Sequence, residues 1–277
     1  MRPSSTQMRT RRPRTPALTG VNSFITSIRQ TSVSGSIPWQ YDLITYLKSY
    51  QAGKPKQHPV GMTWAWVPNA TADNLWNSSA EWISLGDARH SYISDPPAAP
   101  GGKVTILDTD HTGFDVYIND ATFSRPWGWN SFLRGHNPIL MENLKNNSGW
   151  IAARAAMGHT RTYANRMNLA AMTPQNDLST TSHCLANSGQ EYMVYQAGSG
   201  AFSVNLTAGI YAFEWFNPTT GAVASTGSVT AAGGNQTFTP PFSGSAVLYL
   251  KIVNEKSGAA SSTTPAPKQE SAAKEPT

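Results

Sequence analysis

The residues best placed to do chemistry stand at the end of KVTILDTDH, an apolar run that reads as a buried strand and closes on Asp108, Asp110 and His111. In (β/α) barrels the strand ends and following loops converge on one face, and a carboxylate delivered there serves as nucleophile or general acid/base in glycoside hydrolysis. Period-two alternation puts Asp108 and Asp110 on the face of Val104 and Ile106. The plainer alternative is that these acids cap the next segment or pair with Arg125 or Arg134. Glu142, closing NPILME, is a second carboxylate in an equivalent position. Aromatic residues gather around these segments: Trp64, Trp66, Trp76, Trp82, Tyr92, Trp127 and Trp129. Flat rings stack on sugar faces, so Trp64, Trp66, Trp127 and Trp129, with His111, are the substrate-binding candidates. Core burial is the alternative for most of these rings.

Other chemistries find less support. His58, His90, His111, His136 and His159 are scattered, and no HExxH, HxH or carboxylate facial triad accompanies them, so no metal site is expected. GSGA and GGN read as turns; without GxxxxGK[ST] or a strand-linked GxGxxG, no cofactor is expected. Cys184 is the single cysteine, which excludes an internal disulfide. Its setting, TSHCLANS, has no basic neighbour to lower its pKa, so it reads as a buried structural thiol.

Two textures must position these groups. From about Ile37 to 177, helix signals alternate with short apolar runs. Pro38 opens WQYDLITYLKSYQ, where Trp39, Leu43, Tyr46, Leu47 and Tyr50 make an amphipathic stripe. Strands near 58–63, 82–84, 103–108 and 138–142 alternate with helices, the pattern of βα units and a parallel sheet. WIAARAAMGHTRTYANRMNLAAM reads as one long helix ending before Pro174. Residues 178–253 are instead short alternating strands (EYMVYQ, AFSVNL, GIYAFEWFN, GSVTA, QTFTP, AVLYLKIV) separated by Gly-rich turns, which predicts an antiparallel β-sandwich with one face to a core and one to water. Tyr192, Tyr195, Tyr211, Phe213, Trp215 and Phe216 are its candidate binding rings, or its core. The fold class expected is therefore α/β plus all-β, a partial (β/α)8 barrel followed by an antiparallel β-sandwich.

Composition bounds the rest. Charged residues make up 13% of the 277, against about 25% in average soluble proteins, and aromatics 10%, too apolar for a disordered chain. The net charge of +5 misleads, because Arg2, Arg9, Arg11, Arg12 and Arg14 precede the first acid, Asp42. Without them the body is neutral, which argues against a nucleic-acid partner. Residues 1–36 read as a disordered or aberrant basic segment, and 254–277 as a disordered Pro/Ser/Ala/Lys tail. No apolar run approaches the roughly 20 residues of a membrane span, and no secretory h-region follows the basic start.

Taken in order, WQYDLITYLKSYQAGKPKQHPVGMTW, KVTILDTDH, SFLRGHNPILME, AAMGHTRTYANRMNLAAMTP and EWFNPTTG…FTPPFSGSAVLYL resemble bacterial apiosidase-like glycoside hydrolases over residues 37–252. The resemblance implies a (β/α)8 barrel, of which about strands five to eight are here, followed by a collagen-binding-domain sandwich. It implies a retaining pair of carboxylates, one after strand four and one after strand seven. KVTILDTDH corresponds to strand seven, with Asp108 or Asp110 on the nucleophile side. An Asn-Glu pair belongs before the WQY helix, where this chain has NSFITSIRQTSVSGS and no acid. The expectation is a truncated, catalytically impaired enzyme of carbohydrate metabolism acting on a polysaccharide or glycan. The alternative is a module that binds carbohydrate or a collagen-like surface without catalysis. The family's substrates imply an extracellular or periplasmic setting, for which no signal peptide is seen.

Overall fold

A computed structural model describes residues 26–28, 35–63, 71–85, 95–108, 120–140 and 146–253. Five short strands form one parallel sheet: β1 (Thr26–Ile28), β2 (Val60–Thr63), β3 (Trp82–Ser84), β4 (Val104–Asp108) and β5 (Asn137–Ile139). They lie side by side in chain order, and each pair is parallel. Four of them answer the strands expected from sequence. The fifth, β1, lies inside the segment 1–36 that composition placed outside the fold, and it pairs with Val60–Met62. Three residues are too few to show any period.

Among the described residues four α-helices accompany the sheet: α1 (Ser36–Ala52), α2 (Ala72–Trp76), α3 (Ala121–Leu133) and α4 (Ser148–Ala164). Short polar side chains start three of them by accepting orphan backbone N–H groups. Thr71 and Asn74 make a capping box on α2. Asp120 accepts from Thr122 N at 2.8 Å, and Asn147 from Trp150 N at 3.0 Å. Ile44 of α1 and Leu75 of α2 cover Val60, Met62, Ile83, Leu85 and Leu107 on one face of the sheet. The aromatic stripe of α1 is not its buried face. Trp39, Tyr46 and Tyr50 are 52%, 63% and 60% exposed, while Ser36, Gln40 and Ile44 point inward. α3 and α4 cross so closely that a Cβ on Gly128 would stand 2.8 Å from that of Ala156.

The remaining strands are antiparallel: β6 (Thr173–Pro174), β7 (Cys184–Asn187), β8 (Glu191–Gln196), β9 (Phe202–Leu206), β10 (Gly209–Asn217), β11 (Ala222–Ala231), β12 (Gly234–Phe238) and β13 (Ala246–Ile252). Six form a sheet in the order β11-β10-β13-β8-β7-β6, and β12 and β9 form a ribbon. The sheet starts at Thr173, ahead of the boundary at 178. Its first face, with Tyr192, Val194, Tyr211, Trp215, Leu248 and Leu250, closes on Phe202, Val204, Leu206 and Phe238 of the ribbon. Alternation predicts that the second face meets water, and instead it is covered. Leu185, Met193, Tyr195, Phe216, Val247 and Tyr249 pack on Trp129, Phe132, Leu133, Ala156 and Tyr163 of α3 and α4. The sheet is thus a middle layer, and its central strands are buried on both sides.

Candidate functional site

The parallel strands end at Ile28, Thr63, Ser84, Asp108 and Ile139, and Asp108 lies in register with Ile139 of β5. It is the one carboxylate that closes a described strand of this sheet. Trp64, Trp66, Asp110, His111 and Glu142 lie outside the described residues. In sequence each follows one of these carboxyl ends within a few positions: Trp64 succeeds Thr63, Asp110 and His111 come after Asp108, and Glu142 comes after Ile139.

Trp127 and Trp129 do not join them. They are 2% and 0% exposed, within α3. Trp127 packs with Trp150 and Ala153 of α4. Trp129 is surrounded by Tyr163, Tyr195 and Phe216, with ring centroids 5.9–6.2 Å away. Rings so enclosed offer no face to a sugar, which corrects their assignment as substrate contacts. An indole's residue type does not distinguish the two situations; Gly128 between them, facing Ala156, is the sequence sign of a tight helix crossing. Trp82 lies on the sheet face away from α1 and α2. Its ring covers Gly61 so closely that a Cβ there would stand 1.8 Å from it.

The candidate rings of the antiparallel part are also interior. Tyr192, Tyr195 and Tyr211 are fully buried, Trp215 and Phe216 nearly so, and Phe213 is half-buried against the same core. Two glutamates at the joint with α4 are ionised structural acceptors. Glu214 accepts from the two terminal guanidinium nitrogens of Arg166 at 2.9 Å and from the Tyr163 hydroxyl at 2.5 Å. Arg166 holds its carboxyl below the usual range, against the opposing effect of burial. Burial, then Glu214 itself, pushes the Tyr163 hydroxyl far up, so it stays a neutral donor. Burial also acts to raise Glu191. Lys251, the Asn168 N–H and the Tyr249 hydroxyl outweigh it and lower the carboxyl on balance. Carboxylates satisfied in this way are poor proton donors. Replacing Glu214 by Ala is expected to cost about 1–3 kcal/mol, since it strands the hydroxyl of the buried Tyr163; urea unfolding measures it.

At the amino end of the sheet a cavity of about 470 Å³ separates the starts of β4 and β5 from β6 and β7, lined mainly by Val104, Phe132, Leu169, Met172, Pro174 and Leu185. His136 lies in its wall, 2% exposed, with Nε2 donating to the Pro97 carbonyl at 2.7 Å and Nδ1 2.9 Å from Thr105 Oγ1. Burial drives this imidazole down to about 4; Pro97 opposes the shift and the Arg134 charge adds to it. Cys184 is fully buried, and burial pushes its thiol up to about 12, which fits an inert structural residue. Among the described residues no group of three His, Cys, Asp or Glu side chains gathers to hold a metal, and no helix is long and apolar enough to cross a membrane.

No curated protein sequence matches the chain. Among solved structures, a protein described as a glycoside hydrolase aligns at 10% identity over 74% of this chain and 60% of its own, with a TM-score of 0.43. A family 5 glycoside hydrolase from Bacteroides vulgatus ATCC 8482 aligns at 8% identity over 74% and 57%, with a TM-score of 0.45. A family 44 xyloglucanase from Paenibacillus polymyxa aligns at 12% identity over 55% and 33%, with a TM-score of 0.33. The chain therefore spans less than two thirds of the length of each, and likeness at this level assigns no activity. Residues 171–249 match the family model described as "Putative collagen-binding domain of a collagenase". That segment holds the six-stranded sheet and its ribbon almost entirely, so this part of the chain is similar to that domain family.

Proposed function

We propose that the parallel part is the closing portion of a (β/α)8 barrel of glycosidase type, about strands five to eight with β1 beside them, that a β-sandwich follows it, and that the chain acts on carbohydrate. The observation that carries this reading is Asp108 at the carboxyl end of a parallel strand, in a sheet whose order never reverses. A doubly wound sheet reverses its order at a switch point, and barrels do not. On this reading Asp108 or Asp110 stands on the nucleophile side, and Glu142 is a further acid at the same rim. Trp64 and Trp66 stack on sugar rings, and His111 bonds to hydroxyls.

Turnover needs a second carboxylate, about 5–5.5 Å from the first in a retaining enzyme. The residues after β1, where the resemblance calls for Asn-Glu, are Arg29 and Gln30. We therefore expect binding without hydrolysis. The purified chain should release no aryl alcohol from aryl glycosides above the uncatalysed rate, with or without Asp108→Asn. Turnover that Asp108→Asn abolishes would show a complete catalytic pair and overturn the impairment.

The match over 171–249 favours a second reading, a module that binds collagen or carbohydrate without catalysis. Because its aromatic rings are interior, that reading leaves contact to exposed strands and turns.

A further inference from the structure

The two edges of the six-stranded sheet are built differently. β6 is two residues long and ends in Pro174, which has no N–H to offer. β11, on the opposite edge beside β10, runs for ten residues. It contains no charged residue and no proline, and no charged residue stands anywhere between Glu214 and Lys251. Long edges are usually blunted by charge, proline or a covering element. Among the described residues β11 has only a bulge at Ala224, where the register with β10 shifts between Trp215 and Phe216.

The neighbouring layers cover this strand on one face only. Val229 and Ala231 touch the core, and the Phe213 ring lies against Gly227. On the other face Thr226, Ser228 and Thr230 are exposed, so α3 and α4 do not reach them. Beyond the bulge, alternate residues direct N–H and C=O groups away from β10. The ligand such an edge takes is another extended backbone.

We propose that β11 pairs antiparallel with β11 of a second copy of this chain, joining the two six-stranded sheets across a two-fold axis. The strand suits itself as a partner. Without charges, no like charges oppose each other, and the Thr226–Ser228–Thr230 row meets the same row, a favourable cross-strand pairing. The contact consumes the long edge of each six-stranded sheet and leaves the joined sheet, among the described residues, with the short, proline-ended β6 at either end; a two-fold contact of this kind closes at two copies. A single pair of strands buries little area, so the association is of the weak, concentration-dependent kind.

Sedimentation velocity of the full chain tests this. The weight-average mass should rise with concentration from 29.9 kDa towards twice that value. Thr226→Lys/Ser228→Lys should weaken association at least about tenfold. Thr226→Glu/Ser228→Glu should do the same, and an equimolar mixture of the two variants should recover the dimer. Both changes lie on exposed positions, and the recovery in the mixture excludes misfolding as the cause of any loss. A monomer at every concentration overturns the proposal. So does a dimer indifferent to both variants, a mixture that stays monomeric, or an edge that captures collagen peptide while the chain itself stays monomeric.

Discussion

Trp129→Ala is expected to lower stability by about 3–5 kcal/mol, the cost of truncating a fully enclosed tryptophan. In a protein of this size that corresponds to a fall in melting temperature of roughly 6–20 °C. Trp129 is 0% exposed and joins α3 to Tyr163 of α4 and to Tyr195 and Phe216 of the six-stranded sheet. Its ring lies 11° from parallel with that of Tyr195. Trp129→Phe keeps much of this packing and should cost clearly less. A calorimetric melt in which the alanine variant moves little, while glycan binding disappears, would instead return Trp129 to the role of sugar contact.

The second large effect is a loss of stability in mild acid. His136 titrates at about 4 in the folded chain against 6.5 when unfolded. Between those values the unfolded chain binds more protons, so stability rises with pH and falls as pH drops from 6.5 towards 4. The contribution lost is about 3 kcal/mol, an order-of-magnitude figure for this shift. It is fully present above pH 6.5. Denaturant unfolding across this window should show the slope, and His136→Gln should flatten it while lowering stability near neutral pH through the loss of packing and of the Pro97 contact. A slope of equal size in both proteins would locate the acid sensitivity elsewhere.

Several features could be read from the residues because short-range rules decide them. Pro38, the runs VGMT and VTILD, and the Gly-rich turns after 196 announce α1, β2, β4 and the antiparallel strands through fixed backbone preferences and period. Burial was harder to read, because neighbours far along the chain decide it. The run Val247–Leu250 is continuous rather than alternating, a sign of two covered faces, yet what covers the second face is α3 and α4. In α1 Trp39, Tyr46 and Tyr50 stay exposed while Ile44 enters the core, a choice made by β2 and β3. β1 escaped notice because a three-residue strand takes its identity from its partner. For the site, Asp108 follows from chemistry plus strand register, whereas Trp127 and Trp129 show that aromatic content near a strand does not make a binding surface.

The carbohydrate reading meets its most direct test in retention of the full chain on a panel of insoluble polysaccharides, with immobilised collagen alongside. The account expects retention on at least one polysaccharide, weakened by about tenfold or more, equivalent to about 1.4 kcal/mol, in Trp64→Ala/Trp66→Ala. Trp129→Phe should bind as the unaltered chain does. Passage through every polysaccharide without delay, with capture on collagen alone, would contradict it and leave the chain a protein-binding module.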